Sequence, residues 1–408
     1  MDLTNLNSFL KFGYFLDYKN SNYSFDFSNI NKNKYKDFTE EKLINIGIKL
    51  WKNAIRNQFD EKEMNVVPLS GGLDSRAILA TLSEITDPSK IYTYTFGSPG
   101  TWDFEIGNYI AKIFGTKHFS FDLTKIEYSL DELIDVSKRI DHQTVLFYHH
   151  PVWKVDELFS NGKIWSGAII DVFFGRHYHN HKANGWQNAI INSFKENIFG
   201  GKIGLSNVPD SILLKYVDYI PELKEKLVLE HVIDLLNRQL KYIAPHVLMK
   251  GYEYKLLFTD NDLVNFANSV SNYLNEEQYL YKKMFISAFP KVFMLPTTGN
   301  HGAALTASST VVKLTRLINK CRMGINSIIP IFINRRINYL DFNSGIRYRR
   351  DIHTIVYDSI SDLDNRNIIN WINIKKIWKQ HIEKKGNFAK ELLLLASLEI
   401  HLKAGKRI

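Results

Sequence analysis

A six-residue turn, Ser70-Gly71-Gly72-Leu73-Asp74-Ser75, constrains the fold of this 408-residue chain more than any other stretch. Before it, Met64 to Leu69 is mostly apolar and reads as a buried strand. After it, Ala77, Ile78, Leu79, Ala80 and Leu82 continue at helical density. The glycines let the backbone turn tightly and approach a ligand without a Cβ in the way. Ser70, Asp74 and Ser75 add polar groups where the helix begins, and the free N–H groups of a helix start favour an anion, above all phosphate. No Gly-Lys-Ser/Thr follows, so this is not a Walker loop. The acidic Asp74 is coherent inside an anion site if Mg²⁺ bridges it to a phosphate.

The chain downstream alternates. Ile91–Phe96, Lys117–Leu123 and Lys163–Ser166 read as strands. Between them lie helical segments that start at Thr101 or Asp103 and stop at Gly115, then run through 126–140 and 152–159. Upstream, Thr39 caps an expected helix through Leu43, Ile46, Leu50 and Ile55. Strands alternating with helices of this length predict an α/β fold with a doubly wound parallel sheet, whose ligands sit beyond the carboxyl ends of the strands. From about residue 205 strand signals fade and a mainly helical lobe is expected. The expected division is an N-terminal extension over 1–60, the α/β core over 61–205 and the helical lobe over 206–408, with 1–38 lacking clear periodicity.

Composition excludes several classes. With 45% hydrophobic and 23% charged residues the chain is globular. One cysteine, Cys321, leaves no intramolecular disulfide and no cysteine-based zinc site. The net charge of +9 comes without an arginine-rich stripe interleaved with aromatics, which counts against nucleic acid as a partner. No basic, apolar leader opens the sequence and no apolar run spans a bilayer, so a cytoplasmic protein with no membrane span is expected. His177-Tyr178-His179-Asn180-His181, with His149-His150 upstream, reads as a polar loop rather than a metal centre. Lys375, Lys376, Lys379, Lys384 and Lys385 read as a solvated helix face.

Ser70–Ser75 resembles the pyrophosphate loop of the PP-loop ATP pyrophosphatases, and the asparagine synthetase-like branch fits best. Tyr94–Gly100 and Gly115–His118 are similar to that branch's next strand, loop, helix and strand. Ser166–Gly175 resembles its Ser-Gly-x-Gly-x-Asp-Glu-x-Phe-Gly-Gly-Tyr motif, with Ile169 at the second glycine and Val172 in place of Glu. Gly251–Asp260 resembles Gly-x-Glu-x-Arg-x-Pro-Phe-Leu-Asp, and Trp378–His401 the branch's last two helices. Residues 9–18 look like the junction at which the family's glutaminase domain ends; residue 2 is Asp2 rather than the family's cysteine nucleophile.

The resemblance implies an ATP-dependent, AMP-forming ligase making a carbon–nitrogen bond, without glutaminase activity of its own. A carboxylate becomes an acyl-adenylate, and ammonia or an amine displaces AMP. ATP would meet Leu69, Ser70, Gly71, Gly72, Leu73, Asp74, Ser75, Phe96, Gly97 and Gly167. Mg²⁺ would be held by Asp74 and Asp171. The family's general acid/base carboxylate maps near Asp141. Asp103 and Glu105 read as a helix start. The acceptor would be a small-molecule, peptide or sugar carboxylate, with aspartate the default, and a separate glutaminase subunit could deliver ammonia. The family's lysine beyond Asp260 has no counterpart in Leu295-Pro296-Thr297-Thr298-Gly299-Asn300-His301-Gly302. That gap motivates a second expectation, an ATP-binding pseudoenzyme or scaffold; the basic charge motivates a third, an RNA-modifying PP-loop enzyme.

Overall fold

Five parallel strands form one sheet in the order β3-β2-β1-β4-β5. They are β1 (Asn65–Pro68), β2 (Tyr92–Gly97), β3 (Lys117–Asp122), β4 (Lys163–Ser166) and β5 (Glu253–Leu256). The computed structural model describes residues 3–407 except 20–22, 24, 26, 177–184, 196, 200, 218–222, 224–226, 329–334 and 337–338, and only the backbone of 323–328. The first four strands lie where the sequence placed them. The fifth is a correction to the expectation that strands end near residue 205: Lys163↔Glu253 to Ser166↔Leu256 pair in register, so β5 closes the sheet edge beside β4.

Side-chain alternation along the strands builds two layers. Val67, Leu69 and Trp165 face a core shared with α2 (Glu40–Arg56), α3 (Asp74–Leu82) and α4 (Trp102–Phe114). Val66, Tyr94, Phe121 and Ile164 face the other way, onto Val155 and Phe159 of α6 (Val152–Phe159), which follows α5 (Leu130–Arg139). Helices on both faces of a parallel sheet are the doubly wound arrangement. Thr39 caps α2, its side chain accepting from the Lys42 amide. Ser129 and Glu132 cap α5 reciprocally. Gly115 ends α4 in the left-handed region at φ 71°.

The helical lobe is less regular than its sequence suggested. A short α-helix at Leu229–Ile233 runs on into a ten-residue π-helix at Asp234–Ile243. Further on come α7 (Tyr279–Ala288), α8 (Ser309–Ile328), α9 (Arg350–Asn365) and α10 (Ala389–Lys403). The opening residues, whose sequence lacks clear periodicity, form α1 (Leu3–Phe12). Its Leu6, Phe9 and Leu10 are buried in one cluster with Leu392 to Leu398 of α10. Among the described residues, no helix is long and apolar enough to cross a membrane.

Candidate functional site

The strand order reverses direction between β1 and β4, because chain leaving β1 crosses towards β2 while β4 is followed outward by β5. Such a switch point opens a crevice at the carboxyl ends of the two strands. Ser70–Ser75 leaves β1 on one side of it and Ser166–Asp171 leaves β4 on the other. The two meet at Gly167: a Cβ there would lie 2.3 Å from the Asp74 Cβ. Only glycine allows that approach.

The loop holds its own shape. The Gly72 amide donates to Ser70 Oγ at 3.1 Å, and the Ser70 amide to Ser75 Oγ at 3.4 Å. Gly71 also makes room for a contact within the protein. A Cβ on Gly71 would fall 1.9 Å from Thr298 Oγ1 and 3.1 Å from Asp103 Oδ1. Asp103 Oδ1 accepts from the Gly71 amide (3.0 Å) and from the Thr298 hydroxyl (2.7 Å), and the Thr298 amide donates to the Gly71 carbonyl (3.0 Å). The glycine is needed for the protein's own helical lobe to press on the loop. Asp103 does open α4, as expected, but its carboxylate also occupies an amide of the anion turn. Glu105 stays at the helix start, accepting from the Gly100 amide at 2.6 Å.

Two carboxylates stand at the crevice, Asp171 buried and Asp74 half-buried. Asp74, first residue of α3, accepts from the Tyr281 hydroxyl at 2.6 Å. Asp171 is paired with Arg176 at 2.5 Å. Burial, and after it the charge of Asp171, pushes the Asp74 carboxyl up to about 7, while Tyr281 and Arg176 pull it back. A divalent cation beside Asp74 would favour its ionised form. Two hard oxygen donors suit Mg²⁺, which takes its remaining ligands from phosphate and water. Among the described residues no group of three or more His, Cys, Asp or Glu side chains is placed to hold a metal ion. Ile169 keeps φ at 70° where the family motif has glycine, a strained conformation for a β-branched residue.

Other expected residues are distributed differently. Phe96 lines a cavity of about 180 Å³ with Pro68, Ser166, His149, His150 and His246, at the carboxyl ends of β1, β2 and β4. Leu69 is buried in the core on the α3 side instead. Gly97 ends β2, its carbonyl accepting from the Leu123 amide at 2.9 Å. His149 donates from Nδ1 to the His150 carbonyl at 2.6 Å, so its buried Nε2, which has no protein partner, carries a lone pair. Burial pushes His149 down to about 4 and His150 to about 3, so both are neutral at physiological pH. The run His177–His181 lies outside the described residues. Asp141 accepts from the Tyr18 hydroxyl at 2.8 Å and pairs with Lys250; no bond joins it to the loop. The sequence reading missed Tyr281, Arg176 and Arg76. Arg76 is wholly buried in α3 and donates to the carbonyls of Val292, Leu295 and Pro296 at 3.3, 3.4 and 2.7 Å, fixing the segment that delivers Thr298.

Comparison with known proteins points the same way. Residues 49–155, covering β1 to β3 and the loop, match the family model of asparagine synthase. A protein of Methanocaldococcus jannaschii named "Putative asparagine synthetase (glutamine-hydrolyzing) 2" is 29% identical over 123 residues, 30% of this chain. The matched stretch spans 24% of that relative's length. The part of the chain that carries β1 to β3 and the Ser70–Ser75 loop is thus asparagine synthetase-like.

Proposed function

We propose that the protein is an ATP-dependent amidoligase that activates a carboxylate as its acyl-adenylate and passes the acyl group to ammonia or an amine. The observation that carries this reading is the meeting of Asp74 and Gly167 across the switch point, with Asp171 close enough for its charge to act on Asp74. A pyrophosphate at the loop would lie against the N-terminus of α3. A Mg²⁺ ion held by Asp74 and Asp171 supplies fixed positive charge where the leaving pyrophosphate gains negative charge. The chain's own part is to hold the loop rigid, through Arg76 and Thr298, and to offer the cavity beside Phe96 to the base. Incubation with ATP, Mg²⁺, ammonium and a panel of small-molecule, peptide and sugar carboxylates should release AMP and pyrophosphate, and Asp74→Ala should abolish the release. Appearance of ADP and phosphate alone rejects the mechanism.

A second reading has its own observation. Asp103 already sits on the Gly71 amide, Arg176 already neutralises Asp171, and the segment 295–302 lacks the lysine that the family has there. A nucleotide-binding protein without turnover accounts for those three features. Calorimetry showing ATP binding, with no AMP from any acceptor, selects it.

A further inference from the structure

Helix α8 (Ser309–Ile328) is built inside out. The positions turned towards the protein are Val312, Thr315, Asn319 and Arg322, and Asn319 Nδ2 donates to the His301 carbonyl at 3.3 Å. The positions turned outward are apolar: Val311, Leu314, Leu317 and Ile318 are 47%, 56%, 56% and 46% exposed, and Cys321 is exposed beside them. At 3.6 residues per turn these five cover an arc of roughly 120°. Lys313, Arg316 and Lys320 lie along one border of that arc.

The stretch of sequence that carries this helix has charge of one sign. From Gln278 to Leu340 the sequence contains no Asp or Glu, while Lys282, Lys283, Lys291, Lys313, Arg316, Lys320, Arg322, Arg335 and Arg336 all fall within it. The net charge of the whole chain is +9, and this stretch of sequence alone carries nine cations and no acid. No ion pair with an acid involves Lys313, Arg316 or Lys320 among the described residues. A basic helix with a continuous apolar arc and cations along its border fits an interface where hydrocarbon lies beneath a layer of negative charge. A second copy of the chain fits poorly, because pairing two such helices brings cations against cations with no acid to answer them.

We propose that α8 docks the protein on an anionic membrane surface, lying in the plane of the headgroups with Val311, Leu314, Leu317, Ile318 and Cys321 turned into the acyl boundary. It lies on the bilayer and does not cross it: α8 is not apolar enough to span. This placement is independent of what the α/β core catalyses.

The test is flotation of the full chain with vesicles of two parts phosphatidylcholine to one of phosphatidylglycerol, against phosphatidylcholine alone, at low and physiological salt. Binding to the anionic vesicles is expected to exceed binding to the neutral ones by at least about tenfold and to weaken with salt. Leu314→Asp with Leu317→Asp should reduce it by about a hundredfold, with the circular dichroism spectrum and melting curve unchanged because both side chains are exposed. Lys313→Ala, Arg316→Ala and Lys320→Ala together should also reduce it by about a hundredfold, as each cation near such a surface is worth about fivefold. Absence of binding at low salt, or equal binding to both vesicle types, overturns the proposal. So does a concentration-dependent dimer, seen without vesicles by analytical ultracentrifugation, that Leu314→Asp with Leu317→Asp dissociates.

Discussion

Asp103 and Gly71 lie 32 residues apart in the sequence and are joined by a hydrogen bond of 3.0 Å from the glycine amide to the aspartate Oδ1. The same oxygen accepts from Thr298, so one carboxylate ties the anion turn to the helical lobe.

Removing that carboxylate should loosen both partners together. Asp103→Ala is expected to lower stability by about 1–3 kcal/mol and Thr298→Val by about 1 kcal/mol, the costs of unpairing partly buried donors. Because they share one oxygen, the double variant should lose less than the two single losses combined. Urea unfolding of the four proteins measures the coupling; strict additivity denies it.

Glycines 167 and 115 should respond differently to the same added methyl. At Gly167 the new Cβ meets the Asp74 Cβ at 2.3 Å, and at Gly115 it meets nothing within 4 Å. Gly167→Ala is therefore expected to displace the start of α3, cost about 1–3 kcal/mol and weaken nucleotide binding at least about tenfold. Gly115→Ala, with φ at 71°, should cost about 1–2 kcal/mol of backbone strain and leave nucleotide affinity unchanged. Melting curves with calorimetric titration of ATP separate the two effects.

Stability should fall with acid through buried neutral histidines. His401 donates from Nε2 to the Thr144 carbonyl (2.8 Å) and accepts at Nδ1 from Ser137 (2.7 Å). Burial pushes it down to about 3, while the unfolded chain titrates near 6.5. Between those values the unfolded state binds the extra proton, so stability is level above about pH 6.5 and drops by about 1.4 kcal/mol per pH unit below it. At about pH 5 the loss is about 2 kcal/mol from this residue, and His149, pushed to about 4, adds its own share. Urea midpoints at about pH 7.5 and about pH 5 should differ accordingly, and less so in His401→Gln; a pH-independent midpoint contradicts the account.

A lysine placed in the 295–302 segment should act at one position and not at its neighbour. Thr297 is 1% exposed with its hydroxyl bonded to the Ala303 carbonyl, so Thr297→Lys buries an unpaired charge and should cost several kcal/mol, on the order of 3–5. Thr298 is half-buried beside the Asp103 carboxylate, so Thr298→Lys has an acid to pair with and should cost less than Thr297→Lys. AMP release that rises in Thr298→Lys alone supports the ligase reading; no change in a folded, ATP-binding variant favours the protein without turnover.

What was legible in advance follows the range of the interactions. The loop, four strands and the cap at Thr39 are written in consecutive residues, where glycine spacing, alternation and capping chemistry act locally. Strand β5 was missed because Glu253-Tyr254-Lys255-Leu256 is short and charged and becomes a strand only by pairing with β4. Helix α1 was missed because its asparagine and phenylalanine residues are buried on most sides, which erases the one-sided pattern a surface helix shows. At the site, Asp74 was legible from the motif and Tyr281 was not, since 207 residues separate them. Thr298 was noticed only as a place where a lysine is wanting; its bond to Asp103 spans 195 residues and leaves no local mark.

The burial of α1 against α10 bears on how the chain is made. Phe9 stacks on Phe15 with ring centroids 4.6 Å apart, and both rings lie against His401, at 5.4 and 6.1 Å. Phe9 and Phe15 thus meet His401 only after roughly 390 further residues have been made. At about 5–20 residues per second the wait is roughly 20–80 s, long enough for the exposed phenylalanines to need a chaperone's cover.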